Sequence, residues 1–177
     1  MTAATAPDPT RRDFLTLSAA AFSSVGMAAG LWPLLDSMNP SASMRAEATT
    51  EVDLRQIRPG QIITVRWQGR SVFVVHRTEE QIARAVADDK AATLDPARDR
   101  DRVKRKEWLV VEGTCTHLGC VPISRGFGDL VPRFGGWVCP CHYSQYDISG
   151  RVRRGPAPSN LRVPPYEFRG DDTLVIG

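Results

Sequence analysis

The sequence is short of the residues that most often carry chemistry. Its 177 residues include only four cysteines, three histidines and three tyrosines, and its net charge of +3 shows no strong excess of either sign. No basic run is long enough, or mixed with enough aromatic residues, to indicate a nucleic-acid-binding surface. The best candidate for such a surface, Arg151-Val-Arg153-Arg154, is predicted to be a solvated turn. A chain of this length has room for one modest domain and an appendage.

The few cysteines and histidines are concentrated in two short segments. All four cysteines and two of the three histidines lie in Cys115-Thr-His-Leu-Gly-Cys120 and Cys139-Pro-Cys-His-Tyr-Ser-Gln-Tyr-Asp147. Each segment has a cysteine, a histidine two or three residues later and one further cysteine. Such clustering of thiol and imidazole groups predicts a metal site. The third histidine, His76, stands apart and is predicted to be a structural residue at the end of a strand.

Three arrangements of these side chains are compatible with the residues alone. A tetrahedral zinc site suits thiolate and imidazole ligands but would leave two thiols unused. A [2Fe–2S] cluster with two cysteines on one iron and two histidines on the other would take one ligand of each kind from each segment. Two disulfides without a metal would give the two histidines no ligand role. The spacing favours the iron–sulfur cluster, because zinc knuckles usually hold their ligands in matched cysteine pairs.

The motifs C-T-H-L-G-C and C-P-C-H-x-S-x-Y-D resemble those of the Rieske iron–sulfur subunits of cytochrome bc1 complexes, the ubiquinol:cytochrome c oxidoreductases. The resemblance implies one Rieske-type [2Fe–2S] cluster with four ligands, which are Cys115, Cys139, His117 and His142. The two cysteines would hold the inner iron, and the two histidines would hold the outer iron through Nδ1. The resemblance further implies that a disulfide between Cys120 and Cys141 joins the two loops.

The same resemblance assigns roles to residues around the cluster. It implies that the hydroxyls of Ser144 and Tyr146 bond to a bridging sulfide and to the sulfur of the first cysteine, which raises the redox potential. Leu118 and the segment Gly155-Pro-Ala-Pro158 correspond to an apolar collar around the exposed histidines, which docks on cytochrome b. Tyr143 departs from the family, which most often has glycine there. Glycine would permit a positive φ or a close approach there, and neither suits tyrosine. We expect the loop nevertheless to keep its normal course and the ring to cover one side of the cluster.

The N-terminal part of the chain predicts a membrane anchor. Thr10-Arg-Arg-Asp-Phe-Leu15 resembles a twin-arginine export signal, and residues 14–36 are long and uncharged enough to cross a bilayer. Arginines before the span place residues 1–13 in the cytoplasm, so the C-terminal domain is periplasmic, at the bacterial inner membrane. Residues 37–50, small and polar, are predicted to form a flexible hinge. A cleaved signal peptide ending at Ala46-Glu-Ala48 is the alternative.

The remaining residues, 51–177, predict a mainly β domain. Alternating or β-branched runs indicate strands at 51–54, 61–67, 71–76, 108–111, 166–168 and 173–176. Thr78 and Gln81 form a capping-box signature for one short helix, followed by a charged loop over 88–106. The resemblance implies a Rieske fold of antiparallel sheets, with a cluster-binding subdomain inserted at about 113–160. The glycine-rich residues 121–138 are predicted to be a flexible connector.

Together these features predict the Rieske subunit of a respiratory or photosynthetic cytochrome bc1 complex, a quinol–cytochrome c reductase. The resemblance implies that such a subunit takes one electron from ubiquinol, with a proton on His142 or His117, and passes the electron to cytochrome c1. This transfer contributes to proton translocation. The partners that the resemblance implies are cytochromes b and c1, in a dimeric complex. The alternative is a free-standing, membrane-anchored, high-potential Rieske carrier for another periplasmic oxidoreductase.

Overall fold

The computed structural model describes residues 10–39, 41 and 48–177, which divide into an N-terminal and a C-terminal unit. The N-terminal unit contains α1 (Arg11–Asp36), a helix of 26 residues that is long and apolar enough to cross a membrane, judged by length and composition. Thr10 and Asp13 form a capping box at its start. The tail before Thr10 and half of the predicted hinge (residues 40 and 42–47) lie outside the described residues. Ala46 and Glu47 of the alternative cleavage site are among the latter.

The C-terminal unit contains six strands of the predicted β domain in two three-stranded antiparallel sheets. One sheet has the order β1 (Thr50–Asp53), β9 (Thr173–Ile176), β8 (Tyr166–Arg169), and the other has the order β2 (Ile62–Trp67), β3 (Arg70–His76), β4 (Trp108–Glu112). Every strand that the sequence predicts is present, and the prediction of a mainly β fold is confirmed.

The β2–β3–β4 sheet packs against a core on each of its two faces. Val72 and Val74 of β3 pack into a core shared with the β1–β9–β8 sheet, whereas Phe73 and Val75 pack into a second core on the opposite face. Because successive side chains of a strand point to opposite faces, this double burial explains the uninterrupted apolar run of β3 from Val72 to Val75.

The second core is completed by a third antiparallel sheet, which the sequence analysis did not predict. Its strands are β5 (Gly135–Val138), β6 (Gln145–Asp147) and β7 (Val152–Arg154), in that order. The prediction of a flexible connector over residues 121–138 is therefore wrong at its C-terminal end, which forms β5. Ile123, near the start of the connector, also pairs with Val138. A Cβ at Gly136 would lie 1.9 Å from the Asp147 carbonyl oxygen, so the close approach of the strands requires glycine there.

The capping box at Thr78 begins a short helix, α2 (Glu79–Ala87), as predicted. The charged segment after it contains two 3₁₀ helices, Asp88–Lys90 and Asp99–Asp101. Part of this segment is buried, since the Arg77 guanidinium pairs with the Asp99 carboxylate over 2.6 Å and both side chains are almost fully enclosed.

The prediction of a solvated turn at Arg151–Arg154 is wrong. Residues Val152–Arg154 form β7, and the Arg151 side chain is only 1% exposed. Its guanidinium pairs with the carboxylates of Asp147, at 2.7 Å, and Asp89, at 2.5 Å. Burial of a charge is tolerated where it is paired and hydrogen-bonded, and such partners are not visible from sequence spacing.

Candidate metal centre

The two cysteine and histidine loops have the same backbone hydrogen bonds. In the first loop, Cys115 N–H donates to the Cys120 carbonyl at 2.8 Å, and Gly119 N–H donates to the Cys115 carbonyl at 2.9 Å. In the second loop, Cys139 N–H donates to the Ser144 carbonyl at 2.8 Å, and Tyr143 N–H donates to the Cys139 carbonyl at 3.0 Å. Each loop therefore folds back over its first cysteine, and Tyr143 occupies the position that Gly119 has in the other loop.

A disulfide between Cys120 and Cys141 ties the two loops together, with a Cα–Cα distance of 6.7 Å. This is the pairing that the family resemblance implies. The other two cysteines, Cys115 and Cys139, are free and buried, which excludes the hypothesis of two disulfides. The sulfur atoms of Cys120, Cys139 and Cys141 lie within 4.8 Å of one another, but two of them are used in the disulfide and are not available as thiolate ligands.

The two histidines of the motifs lie next to each other at the tips of the loops. The ring centroids of His117 and His142 are 4.8 Å apart, with an angle of 89° between the rings. His142 is exposed and His117 is partly buried. The loops thus bring together two free thiols and two imidazoles, the ligand set of a Rieske [2Fe–2S] centre. His76 lies elsewhere, stacked on Trp108 with its Nδ1 2.6 Å from the Ile57 carbonyl oxygen.

Hydrogen-bond donors surround the first free thiol. The Tyr146 hydroxyl donates to Cys115 Sγ at 3.3 Å and in turn accepts from Thr116 N–H at 3.2 Å. Burial alone would raise the pKa of the Cys115 thiol, but hydrogen bonds, the largest of them from Tyr146, outweigh it and lower that pKa. Burial and the bond to Cys115 raise the pKa of Tyr146, so this residue keeps its donor proton. Burial also raises the pKa of the Cys139 thiol.

Thr116 is a residue whose role the sequence analysis missed. Besides the backbone N–H that contacts Tyr146, its hydroxyl donates to the Ser159 carbonyl at 2.6 Å. It therefore ties the tyrosine to the segment that follows the predicted collar. The available signal was its position between Cys115 and His117 inside the first motif.

The predicted collar combines exposed apolar side chains with one residue that is buried against the second loop. Leu118 is 71% exposed, and Pro156 and Pro158 are also exposed, whereas Ala157 is fully buried. Ala157 N–H donates to Ser144 Oγ at 3.1 Å, and Ser144 is itself fully buried. The collar thus touches the second loop directly at Ser144.

The second loop has the same backbone hydrogen bonds as the first, although this requires an unfavourable backbone conformation at Tyr143. The φ of Tyr143 is +60°, in the left-handed region, contrary to the expectation that tyrosine would avoid a positive φ. The side chain is 60% exposed. With His142 it lines a cavity of about 370 Å³, whose wall also includes Asp129, Arg133 and Arg154. The five residues after Cys139 thus follow the same course as those after Cys115.

Comparison with known proteins gives matches over nearly the whole chain. A family model described as the Rieske [2Fe-2S] domain matches residues 48–166. Residues 1–41 match one described as the ubiquitinol-cytochrome C reductase Fe-S subunit TAT signal. The chain is 51% identical over 170 residues to the ubiquinol-cytochrome c reductase iron-sulfur subunit of Rhodospirillum rubrum, covering 96% of this chain and 93% of that protein.

Two further matches agree with these. The corresponding subunit of Bradyrhizobium diazoefficiens is 50% identical over 179 residues, covering 99% of both chains. Among solved structures, a chain of a hyperthermophilic respiratory Complex III matches with a TM-score of 0.53 and 26% identity, covering 89% of this chain and 98% of that one. These matches confirm the Rieske fold that the motifs implied.

Proposed function

Because the chain belongs to the family of Rieske iron–sulfur subunits of ubiquinol–cytochrome c reductase, we propose that it takes one electron from ubiquinol and passes it to cytochrome c1. As a member of this family, the chain has a Rieske [2Fe–2S] centre and is a subunit of the reductase complex. The observation that carries the proposal is the pair of free, buried thiols beside two imidazoles at the tip of two disulfide-tied loops.

Cys115 and Cys139 would hold one iron of the centre, and His117 and His142 would hold the other. The residues fit this assignment, since these are the two cysteines outside the disulfide and the two histidines within the loops. When bound, the cluster supplies a one-electron redox centre of raised potential, because neutral imidazoles replace two thiolates. The Tyr146 hydroxyl supports the reduced state by donating to Cys115 Sγ.

The exposed imidazole of His142 carries the second part of the function. A side chain at the surface of the loop tip is accessible to ubiquinol, and its outward ring nitrogen accepts the hydrogen bond and then the proton of the quinol hydroxyl. His117, partly buried beside it, is the second candidate for this contact. Leu118 and the prolines of the collar present an apolar rim for docking on cytochrome b.

The chain is anchored by its N-terminal helix. Residues 1–13 lie in the cytoplasm, 14–36 cross the inner membrane, 37–50 form the hinge and 51–177 form the periplasmic domain. The length and composition of α1 and the match of residues 1–41 to a twin-arginine signal family support this division. Within a dimeric complex with cytochromes b and c1, the hinge lets the domain move between ubiquinol and cytochrome c1, and the released protons add to the proton gradient.

Purification from membranes tests the function. A tagged chain is extracted in mild detergent, and we expect cytochromes b and c1 to co-purify with it and a Rieske paramagnetic resonance signal to appear on reduction by ascorbate. A signal without co-purifying cytochromes would favour the free-standing carrier. An iron-loaded protein that is reduced only by dithionite would contradict the high potential, and a silent spectrum would contradict the cluster.

A further inference from the structure

A tight hairpin between the two cysteine loops exposes an aromatic side chain. Phe127 and Leu130 exchange two backbone hydrogen bonds, at 3.0 and 3.1 Å, around a turn in which Gly128 has a φ of +57°. Phe127 is 83% exposed and Val131 is 49% exposed. Exposed apolar side chains that are grouped in one segment often mark a surface that contacts a partner or a membrane. Residues 124–134 are called the tip hairpin below.

The base of the tip hairpin is fixed to the cluster-binding sheet. Gln145, a buried residue of β6, accepts from Arg133 N–H at 3.1 Å through Oε1 and donates through Nε2 to the Val131 carbonyl at 3.2 Å. The guanidinium of Arg153, in β7, lies over the Phe134 ring at 4.7 Å from its centroid. Because both contacts come from the same sheet, they hold the direction in which the hairpin points.

The tip hairpin lies beside the exposed imidazole of the candidate centre. Asp129 and Arg133 of the hairpin line the same cavity, of about 370 Å³, as His142 and Tyr143. His142 and Tyr143 are both exposed. A surface that binds the tip hairpin therefore comes close to the side chain that we propose as the proton acceptor.

The tip hairpin also carries positive charge without an internal partner. Arg125 and Arg133 are exposed on either side of the apolar tip, and Arg154 lines the same cavity as Arg133. Within the part of the chain that the structure describes, the guanidinium groups of these arginines make no hydrogen bond or ion pair. Asp129 is the only acidic residue of the hairpin. Such guanidinium groups suit the bidentate binding of phosphate oxygens.

An apolar tip between two arginines suits a lipid surface better than a protein surface. Segments that bind at the membrane interface place aromatic and aliphatic side chains at the acyl boundary and basic residues at the anionic headgroups. A standard protein interface takes about 800 Å² from each partner, far more than the tip of one short hairpin offers. The bilayer is within reach of the domain if α1 is its anchor, since residues 37–50 can extend to about 50 Å at most.

We propose that the tip hairpin is a membrane contact, in which Phe127 enters the headgroup region of an anionic bilayer and Arg125 and Arg133 bind lipid phosphates. This contact brings His142 close to the lipid phase in which ubiquinol dissolves, because His142 and the hairpin line one cavity. The membrane contact goes beyond the proposed electron transfer and depends only on the proposed anchoring by α1.

Fluorescence quenching in vesicles tests the membrane contact. The full-length, iron-loaded chain is incorporated into phosphatidylcholine vesicles, with or without phosphatidylglycerol, in which the acyl chains carry bromine as a quencher. Trp32→Phe removes the tryptophan of α1, and the other three tryptophans are buried in the domain. In this background we expect Phe127→Trp to lose fluorescence in brominated vesicles that contain phosphatidylglycerol, relative to the same vesicles without bromine. The loss should become smaller as salt is added, because salt screens the arginines.

Two further variants are the controls. Leu94→Trp is matched to Phe127→Trp, because Leu94 is 70% exposed but lies in the charged segment after α2, and we expect no loss of fluorescence there. Arg125→Gln combined with Arg133→Gln should remove most of the loss from Phe127→Trp. The membrane contact would be overturned if Phe127→Trp lost no fluorescence or if Leu94→Trp lost as much. It would also be overturned if the loss did not depend on phosphatidylglycerol or on the two arginines.

Flotation and paramagnetic resonance separate this result from the other proposals. A chain that does not float with the vesicles would contradict the anchoring by α1, and with it the membrane contact. Absence of the Rieske signal from the iron-loaded wild-type chain would contradict the proposed function, whereas the quenching of Phe127→Trp would still decide the membrane contact.

Discussion

The Tyr146 hydroxyl is the donor that the structure aims most directly at a candidate ligand, at 3.3 Å from Cys115 Sγ. Tyr146→Phe should lower the midpoint potential, because the bond is stronger to the more anionic reduced centre. Hydrogen bonds to charged groups contribute about 1.5–3 kcal/mol. If about 1.4 kcal/mol of this differs between the redox states, the potential falls by about 60 mV for one electron. Redox titration of membranes measures the change.

Tyr166→Phe is the matched control for this prediction. Tyr166 is also buried, and its hydroxyl accepts from Lys104 N–H at 3.0 Å, but it belongs to the core on the other face of the β2–β3–β4 sheet. Loss of that bond should lower stability by about 1 kcal/mol and leave the potential unchanged. An unchanged potential in Tyr146→Phe, or an equal fall in both variants, would contradict the role of Tyr146.

Tyr143 and Gly119 allow the backbone strain in the second loop to be measured. A non-glycine residue in the left-handed region costs about 1–2 kcal/mol, of which about 0.5–1 kcal/mol is offset in Tyr143→Gly by the greater freedom of glycine in the unfolded chain. We expect Tyr143→Gly to raise the free energy of unfolding by up to about 1 kcal/mol. Chemical denaturation of the iron-loaded protein checks this.

The control for that prediction is Gly119→Ala, at the equivalent position of the first loop. Its φ is +84° and a Cβ there meets no atom within 4 Å, so the substitution adds backbone strain without a steric clash. It should destabilise by up to about 1 kcal/mol, because the loss of freedom in the unfolded chain again offsets part of the strain. If Tyr143→Gly destabilises as well, the ring makes contacts that outweigh the strain. Tyr143→Gly also tests the prediction that the tyrosine ring covers one side of the cluster. An unchanged potential and unchanged turnover in this variant would contradict that prediction.

At the scale of elements, buried ion pairs connect the charged segment after α2 to the cluster-binding subdomain. Arg151, on the turn between β6 and β7, bonds Asp147 and Asp89, and Ser149 donates to Asp99 at 2.6 Å. We expect Arg151→Met to lower the free energy of unfolding by about 3 kcal/mol, because it leaves the buried Asp147 carboxylate with only the longer contact to Arg153, at 3.5 Å. Denaturant unfolding measures this.

An exposed pair of similar length gives the comparison. Arg169 and Glu51 approach to 2.6 Å, but their side chains are 62% and 58% exposed. Arg169→Met should cost no more than about 1 kcal/mol, because water screens the pair and solvates the remaining carboxylate. Similar losses in the two variants would show that burial does not determine the contribution of Arg151.

The elements that sequence patterns predicted are those fixed by local signals. Apolar runs identified β2, β3 and β4, and Thr78 with Gln81 identified the start of α2. The β5–β6–β7 sheet was missed because β5 begins with two glycines, and because β6 and β7 are only three residues long and depend on distant contacts. Gly136 reads as a connector glycine in the sequence, yet it allows β5 to approach the Asp147 backbone. The motifs predicted the candidate ligands. They did not predict that Ala157 N–H donates to Ser144 or that Thr116 N–H donates to Tyr146.

For the whole molecule, the division into an N-terminal and a C-terminal unit predicts which truncated chain still folds. The C-terminal unit has both cores, and Trp67 Nε1 donates to the Ala48 carbonyl at 2.8 Å. A chain of residues 48–177 should therefore keep the Rieske signal and its potential, once loaded with iron. It should not associate with membranes or restore ubiquinol oxidation there, because it lacks α1 and the hinge.

A chain that begins six residues later is the control. Residues 54–177 lack β1, which pairs with β9 along Thr50–Asp53 and buries Val52 in the core. Burial of one such side chain contributes about 1.5–3 kcal/mol, so this chain should unfold at lower denaturant than residues 48–177. Equal stability of the two chains would contradict the contribution of β1. Ubiquinol oxidation by membranes supplied with residues 48–177 would contradict the requirement for the anchor, since the electron-transfer domain would then find its partners without it.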